Sequence, residues 1–279
     1  MRPNIDTSQM NPADHADLID AVRRLEHIGP ALRLANAVGR KVNFLKNLAP
    51  EKAAKVIDGA AMAAMKVALR VALASLSGRP VRDRARTHKF LAAASGAAGG
   101  ALGLASLPFE LPVTTTVMLR SIAEIARAEG EDLRDPEAAL ACLEVFALDG
   151  RTPGDSISES GYFAIRGLLA RSVSEAARYV ASRGVIDETA PALLRLMAQI
   201  ASRFGLVISN KFIAQATPAL GAFGGAAINL AFIDHFQSLA KGHFTVRRLE
   251  RKYGQEEVRS EYQRIAGARE PDEIQPPAA

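Results

Sequence analysis

The side chains in this 279-residue chain that could carry a reaction are few and widely spaced. Glu110, set between Pro108 and Pro112, Glu124 and His235 are the candidates. Brought into one internal pocket, two carboxylates and an imidazole could share general acid and base work in a hydrolysis. Glu110 has a plainer use, because an acid at a helix start is favoured by the dipole and two nearby prolines ask for a turn or cap there. His235 and His243, with Asp234 and Glu250 close in sequence, invite a metal reading that their spacing does not support. A shared metal wants histidines one helical turn apart, these two are over two turns apart, and Gly242 is expected to end their helix. Each then reads as a satisfied or surface histidine. Cys142, in ALACLEVFAL, reads as a small buried hydrophobe, and the Gly150 to Gly154 segment lacks the lysine-bearing pattern of a phosphate loop. No metal and no cofactor is expected.

The elements that must position these residues are helices. Aromatics make up only 5% of the chain, Trp is absent and Ala dominates, a balance that favours close helix packing over strands. Start signals recur along the chain. Asn11-Pro12, Pro50, Asp135-Pro136, Pro191 and Thr217-Pro218 each place proline where a helix can begin. In the helix after Pro50, Val56, Ala60, Ala63, Val67, Val71 and Ala74 are spaced to form the buried face, with Met62 and Met65 as gap-fillers. After Gly161, the expected inward set is Ile165, Leu168, Leu169, Val173 and Ala176. The expectation is an all-α fold of nine to eleven helices in a single domain over residues 13–267. It is flanked by a flexible start, 1–12, and a disordered tail, 268–279.

Two stretches stand out by having almost no charge. Residues 90–109 carry none, and their glycines at Gly96, Gly99, Gly100 and Gly103 make two interleaved G-x-x-x-G spacings. Residues 212–233 carry none either, and Gly221 and Gly225 repeat the spacing beside Gly224. A glycine-zipper pair of helices at the centre of the core is the expected arrangement. Length alone would let 90–109 cross a bilayer, but with only six Leu or Phe its free insertion is marginal. A sealed core helix and a pair that inserts reversibly are both open. Arg120, Lys211 and Asn229 are the polar groups expected to be buried among these helices, where a buried Asn would fix register.

Charge is segregated. Residues 30–90 hold thirteen Lys or Arg against three acids, 13 − 3 = +10, and residues 91–160 hold four Arg against eleven acids, 4 − 11 = −7. Such polarity suits a basic face on an anionic membrane or two segments that neutralise each other. Arg33, Arg40, Lys41 and Lys46 lie in an amphipathic segment free of acids, and Arg82, Arg84, Arg86 and Lys89 stand directly before the uncharged stretch. These eight are the candidate lipid contacts. With few aromatics among them and no nucleic-acid module, nucleic acid is not an expected partner. A single Cys and a start without an apolar run point to the cytoplasm.

The blocks LPFELPVTTTVMLRSIAEIARAEGEDLRDPEAALACLEVFAL, ISNKFIAQATPALGAFGGAAINLAFIDHF and AKGHFTVRRLERKYG, in that order, resemble the EcsC protein family. The resemblance covers roughly residues 50–262 and contains no diagnostic catalytic motif. It implies a cytoplasmic bacterial protein, an all-helical fold and, for the family's namesake, an operon shared with an ABC transporter. It transfers no catalytic residues. The functional expectation is an accessory protein peripheral to the inner face of the cell membrane, binding anionic lipid or a membrane protein. Its alternatives are a peptidase- or lipid-hydrolase-like enzyme using Glu110, Glu124 or His235, and a soluble interaction scaffold.

Overall fold

A computed structural model describes residues 10–26, 50–74, 76, 107–149, 161–183, 187, 189–215 and 221–268. The described residues form eight α-helices and no strands, as the composition leads one to expect. They are α1 (Pro12–Glu26), α2 (Pro50–Ala74), α3 (Leu107–Ala128), α4 (Pro136–Glu144), α5 (Gly161–Arg183), α6 (Pro191–Gln215), α7 (Gly221–Tyr253) and α8 (Gln255–Gly267). A 3-10 turn, Val145–Ala147, continues α4. The zipper-forming segment around Gly96, Gly99, Gly100 and Gly103 lies outside the described residues, as do the basic candidates Arg33, Arg40, Lys41, Lys46, Arg82, Arg84, Arg86 and Lys89.

Local chemistry sets several ends where the sequence places them. The Asn11 side chain accepts the Asp14 backbone N–H at 2.8 Å, and Asp135 accepts that of Glu137 at 3.0 Å, each with proline at the next position. α3 closes with Gly130 at φ +83, where the Glu131 N–H reaches the Ala126 carbonyl and the Gly130 N–H that of Arg127. Its start departs from expectation. Glu110 does not sit at a break: α3 begins at Leu107, passes through Pro112 without interruption, and holds Glu110 in its first turn. Proline this near a helix start forfeits a single backbone bond, and burial of Leu111, Val117 and Met118 offsets that loss.

Helix α7, about 50 Å long, is the spine against which the others are indexed. α3 runs parallel to it in constant register. Gln237 donates to Ser121 at 2.8 Å, Thr245 to Glu129 at 3.3 Å and Arg247 to Glu131 at 2.8 Å, all with the same sequence offset of 116. α1 runs antiparallel, with Arg24 beside Ser238 and Asp14 beside Lys252. α6 folds back on α7 so that Phe204 meets Phe232 and Phe236 at ring separations of 6.2 and 5.6 Å, with Phe146 of the 3-10 turn completing the aromatic cluster.

Three expected packing details are corrected. The buried face of α2 is Ile57, Ala60, Ala61, Ala64, Met65, Ala68, Leu69, Ala72 and Leu73, whereas Val56, Ala63 and Ala74 are exposed. An alanine-rich helix offers two neighbouring apolar stripes, and the one carrying Ile57, Met65, Leu69 and Leu73 removes more apolar area from water. On α5, Leu168 points outward while Ile165, Leu169, Val173 and Ala176 are buried. Gly242 does not end a helix but lies inside α7, where a Cβ would meet Leu25 Cγ at 2.7 Å and the Ala21 carbonyl oxygen at 3.1 Å. The lack of a side chain there is what lets α1 lie against the spine.

The Gly242 site yields a paired prediction. On propensity alone Gly→Ala in a helix interior stabilises by about 1 kcal/mol. Gly242→Ala should instead destabilise by about 1–3 kcal/mol, the usual cost of overpacking, because part of the obstruction is backbone. Gly59→Ala on α2, where a Cβ meets nothing within 4 Å, should stabilise by up to about 1 kcal/mol. Urea unfolding of the two variants and the parent measures both signs.

Candidate functional site

A chain of buried polar groups links α4, α5 and α7. Arg166 grips Glu250 through two nitrogens at 2.7 and 3.0 Å and also donates to the Tyr162 hydroxyl oxygen at 3.3 Å. Tyr162 and Arg166 are one turn apart on α5, so a single helix face brings both to α7. The Tyr162 oxygen lies 3.0 Å from His243 Nδ1. Because that oxygen accepts from Arg166, its own proton is directed to Nδ1, which leaves the imidazole hydrogen on Nε2. Nε2 in turn faces Glu144 Oε2 at 3.8 Å, too long for a direct hydrogen bond.

Burial sets the charge states. His243 is wholly buried, and Tyr162 and Glu144 nearly so. Desolvation pushes the Glu144 carboxyl up to about 7, opposed by Arg166 and Arg247, and raises the Tyr162 phenol above its ordinary range. It drives His243 well below the ordinary imidazole range, and the Arg166 and Arg247 charges push the same way. The cluster therefore holds a neutral imidazole, a neutral phenol and a carboxyl poised near neutrality.

A second histidine pair lies two turns along the same helix. His235 Nε2 sits 2.7 Å from Asp149 Oδ2, both side chains being buried. Glu144 and Asp149 flank Phe146, so the short segment after α4 docks on α7 through two histidine–carboxylate contacts on either side of an aromatic anchor. His235 is thus satisfied, in line with the reading of its spacing, whereas His243 is hydrogen-bonded through Nδ1 alone and its buried Nε2 has no hydrogen-bond partner. Cys142 is buried, its thiol pushed up to about 12 by desolvation, which agrees with its reading as a hydrophobe.

The far end of α7 is saturated with charge pairs. Arg247 and Arg251 both hold Glu131, and Arg248 spans Glu129, Asp14 and Asp17 at 2.7 to 3.0 Å. Lys252 and the Tyr253 hydroxyl bond Asp14, and with Arg248 they hold that carboxyl well below its usual range. Glu129 and Glu131, part of the acidic region 91–160, therefore pair with basic side chains of α7.

Toward the opposite end several apolar side chains are exposed among the described residues. Leu206 of α6 is 50% exposed, Leu230 of α7 47%, Val113 of α3 41% and Val56 of α2 39%. They share one level of the bundle. The Phe204 contacts put Leu206 beside Leu230, and the constant offset puts Val113 level with residue 229, 113 + 116 = 229. A Cβ at Gly205 would meet Ile57, Asp58 and Ala61 within 4.0 Å, which brings Val56 to the same height. In the sequence, α3 and α7 each begin within or at the edge of an uncharged stretch, 90–109 and 212–233.

The three reaction candidates do not converge. Glu110 is buried in the first turn of α3, Glu124 is exposed fourteen residues or ~21 Å further along the same helix, and His235 is committed to Asp149. Of the residues expected to be buried and polar, Arg120 is half-buried, and the side chains of Lys211 and Asn229 lie outside the described residues. Gly221, Gly224 and Gly225 fall in the first turn and a half of α7. The Tyr162, Arg166 and Glu144 contacts to α7 have no sequence signal beyond the one-turn spacing of Tyr162 and Arg166. Among the described residues no group of three or more His, Cys, Asp or Glu is poised to hold a metal.

The family model described as the EcsC protein family matches residues 33–249. No curated protein and no solved structure matches the chain.

The buried carboxyl predicts a pH dependence of stability. A folded-state value raised to about 7 from the ordinary 4.5 means that stability is fully present below about 4.5 and lost as pH rises through 7. Between pH 6 and pH 8 this group alone should make unfolding about tenfold more favourable. Glu144→Gln, which mimics the protonated form, should flatten that slope and unfold less readily than the parent at pH 8. Denaturant titrations at the two pH values read it directly.

Proposed function

The chain belongs to the EcsC protein family, and on that premise we propose that it is an accessory protein of the cytoplasmic membrane face, engaging lipid or a membrane-embedded partner through the apolar end of the bundle. The observation that carries this reading is the level of exposed side chains formed by Val56, Val113, Leu206 and Leu230, toward the end of the bundle at which α3 and α7 begin. Scattered exposed leucines are ordinary, but four at one end, opposite an end saturated with ion pairs, form a directional surface.

In this reading the segment around Gly96, Gly99, Gly100 and Gly103 pairs with the start of α7 at Gly221, Gly224 and Gly225, since the α3 register brings residue 107 level with residue 223, 107 + 116 = 223. Arg82, Arg84, Arg86 and Lys89 precede that segment and supply the attraction to anionic headgroups, with Arg33, Arg40, Lys41 and Lys46 adding to it. The ABC-transporter operon implied by the family resemblance makes a transporter's membrane subunit the natural protein partner. A hydrolase reading gains no support from Glu110, Glu124 and His235, which do not share a site.

Flotation with vesicles tests the proposal. At low salt the protein should float with vesicles containing phosphatidylglycerol and stay behind with neutral ones. Replacing Arg82, Arg84, Arg86 and Lys89 together by Gln should weaken binding at least about tenfold, given about 1 kcal/mol per basic residue near such a surface. A protein that ignores anionic vesicles at low salt is a soluble scaffold instead.

A further inference from the structure

We infer that the outer face of the α5–α6 hairpin lies flat on an anionic bilayer, its arginines taking lipid headgroup phosphates and its leucines entering between the headgroups. The inference rests on the membrane reading above and adds to the apolar end a second, lateral surface with a stated ligand, the phosphate of an anionic phospholipid.

The two helices are short of acids. They hold six Arg and one Lys against Glu175 alone, 7 − 1 = +6, whereas the exposed residues of α1 and α8 interleave both signs, as in Asp17 and Arg23 or Glu256 and Arg259. Glu175 does not cancel that excess but arranges it. One of its oxygens accepts from Arg171 Nε and the other from Arg195 Nη1, each at 2.8 Å, so a single carboxylate ties arginines of two helices into one surface. Arg178 lies seven residues and ~10.5 Å beyond Arg171 on the same stripe of α5, and donates from Nε to the Ser174 carbonyl at 3.3 Å. In Arg171 and Arg178 alike the inner nitrogen is the one engaged. Their terminal nitrogens, the fork that grips a phosphate through two bonds, have no partner among the described residues.

Apolar side chains stand among these arginines. Leu168, 64% exposed, precedes Arg171 by one turn, and Leu194, 39% exposed, is next to Arg195. On α6 the exposed positions Pro191, Leu194, Arg195, Ala198, Ser202 and Leu206 follow at helical spacing, so the face runs without a break into the apolar level at Leu206.

This mixture selects lipid over other occupants. A face with such an excess of one sign repels a second copy of itself. Among the described residues of the two helices no aromatic side chain is exposed for a base to stack on. Arginine beside leucine matches the boundary where phosphate gives way to acyl chain, since the arginine stem can lie along apolar surface while its head stays with the phosphate.

Flotation of the full chain with vesicles of phosphatidylcholine and phosphatidylglycerol at low salt tests the inference. Replacing Arg171, Arg178 and Arg195 together by Gln should lower partitioning at least about tenfold, given the contribution of each basic residue near such a surface. An environment-sensitive fluorophore on Leu168→Cys or Leu194→Cys should report less polar surroundings on anionic vesicles and no change on neutral ones. The same label on Glu124→Cys, exposed on α3, which packs against α2, α4 and α7, should report no change on either. Cys142 is buried and leaves the introduced thiol as the reactive one. A parent that floats, with a folded triple variant that floats equally well, overturns the inference and leaves the apolar end as the lipid contact. Should the triple variant fail to fold, the labels decide. Unchanged labels at residues 168 and 194 on vesicles that carry the protein overturn the inference too, and leave the arginine face to an acidic protein. A parent that does not float brings down the membrane reading itself, and this inference with it.

Discussion

The structure depends on the division of labour along one helix. α7 has a half whose arginines and lysine find carboxylates and a half, from Gly221 to Ile233, with no charged residue, and each neighbour is positioned by the half it meets. Charged groups taken out of water need partners with good geometry, so Glu131, Glu250 and Asp14 set where α3's end, α5 and α1 lie along the spine. The apolar half imposes no such placement. Its packing is set by ring and methyl contacts around Phe146, Phe204, Phe232 and Phe236.

This division resolves the charge segregation of the sequence. The acidic stretch after residue 91 looks like a natural counterpart for the basic one before it, yet Glu129 and Glu131 close onto Arg247, Arg248 and Arg251. These acids are therefore committed to the spine helix. A molecule with one end closed by ion pairs and the other lined by exposed Val and Leu has a built-in direction, and that is the feature a membrane-face protein needs.

Between the two ends lies the histidine pair. His235 and His243 project from one helix, His235 to a hydrogen bond with Asp149 and His243 to one with Tyr162 while facing Glu144, and the side chains of both histidines and their partners are buried. The arrangement makes the docking of that short segment sensitive to proton balance without any catalytic geometry. Glu144 is the group on which it turns, since burial holds its carboxyl near neutrality while two arginines favour its ionised form.

Helix content, the helix starts at Pro12, Pro50, Pro136 and Pro191 and the satisfied role of His235 were readable in the sequence, because capping and spacing act within about one turn of chain. Asn11 and Asp135 cap as their types require, and the low aromatic content forecast helices. Other features were decided only by tertiary packing. Gly242 reads locally as a stop, but α1 uses it as a point of close approach. Pro112 reads as a break, but the helix through it is kept by burial on both sides. Which apolar stripe of α2 faces inward depends on neighbours far along the chain, and so does the union of Tyr162 and Arg166 with His243 and Glu250 across more than eighty residues. Local sequence sets the backbone of each helix; the register between helices is settled by the summed burial and charge pairing of whole faces, which no short window of sequence contains.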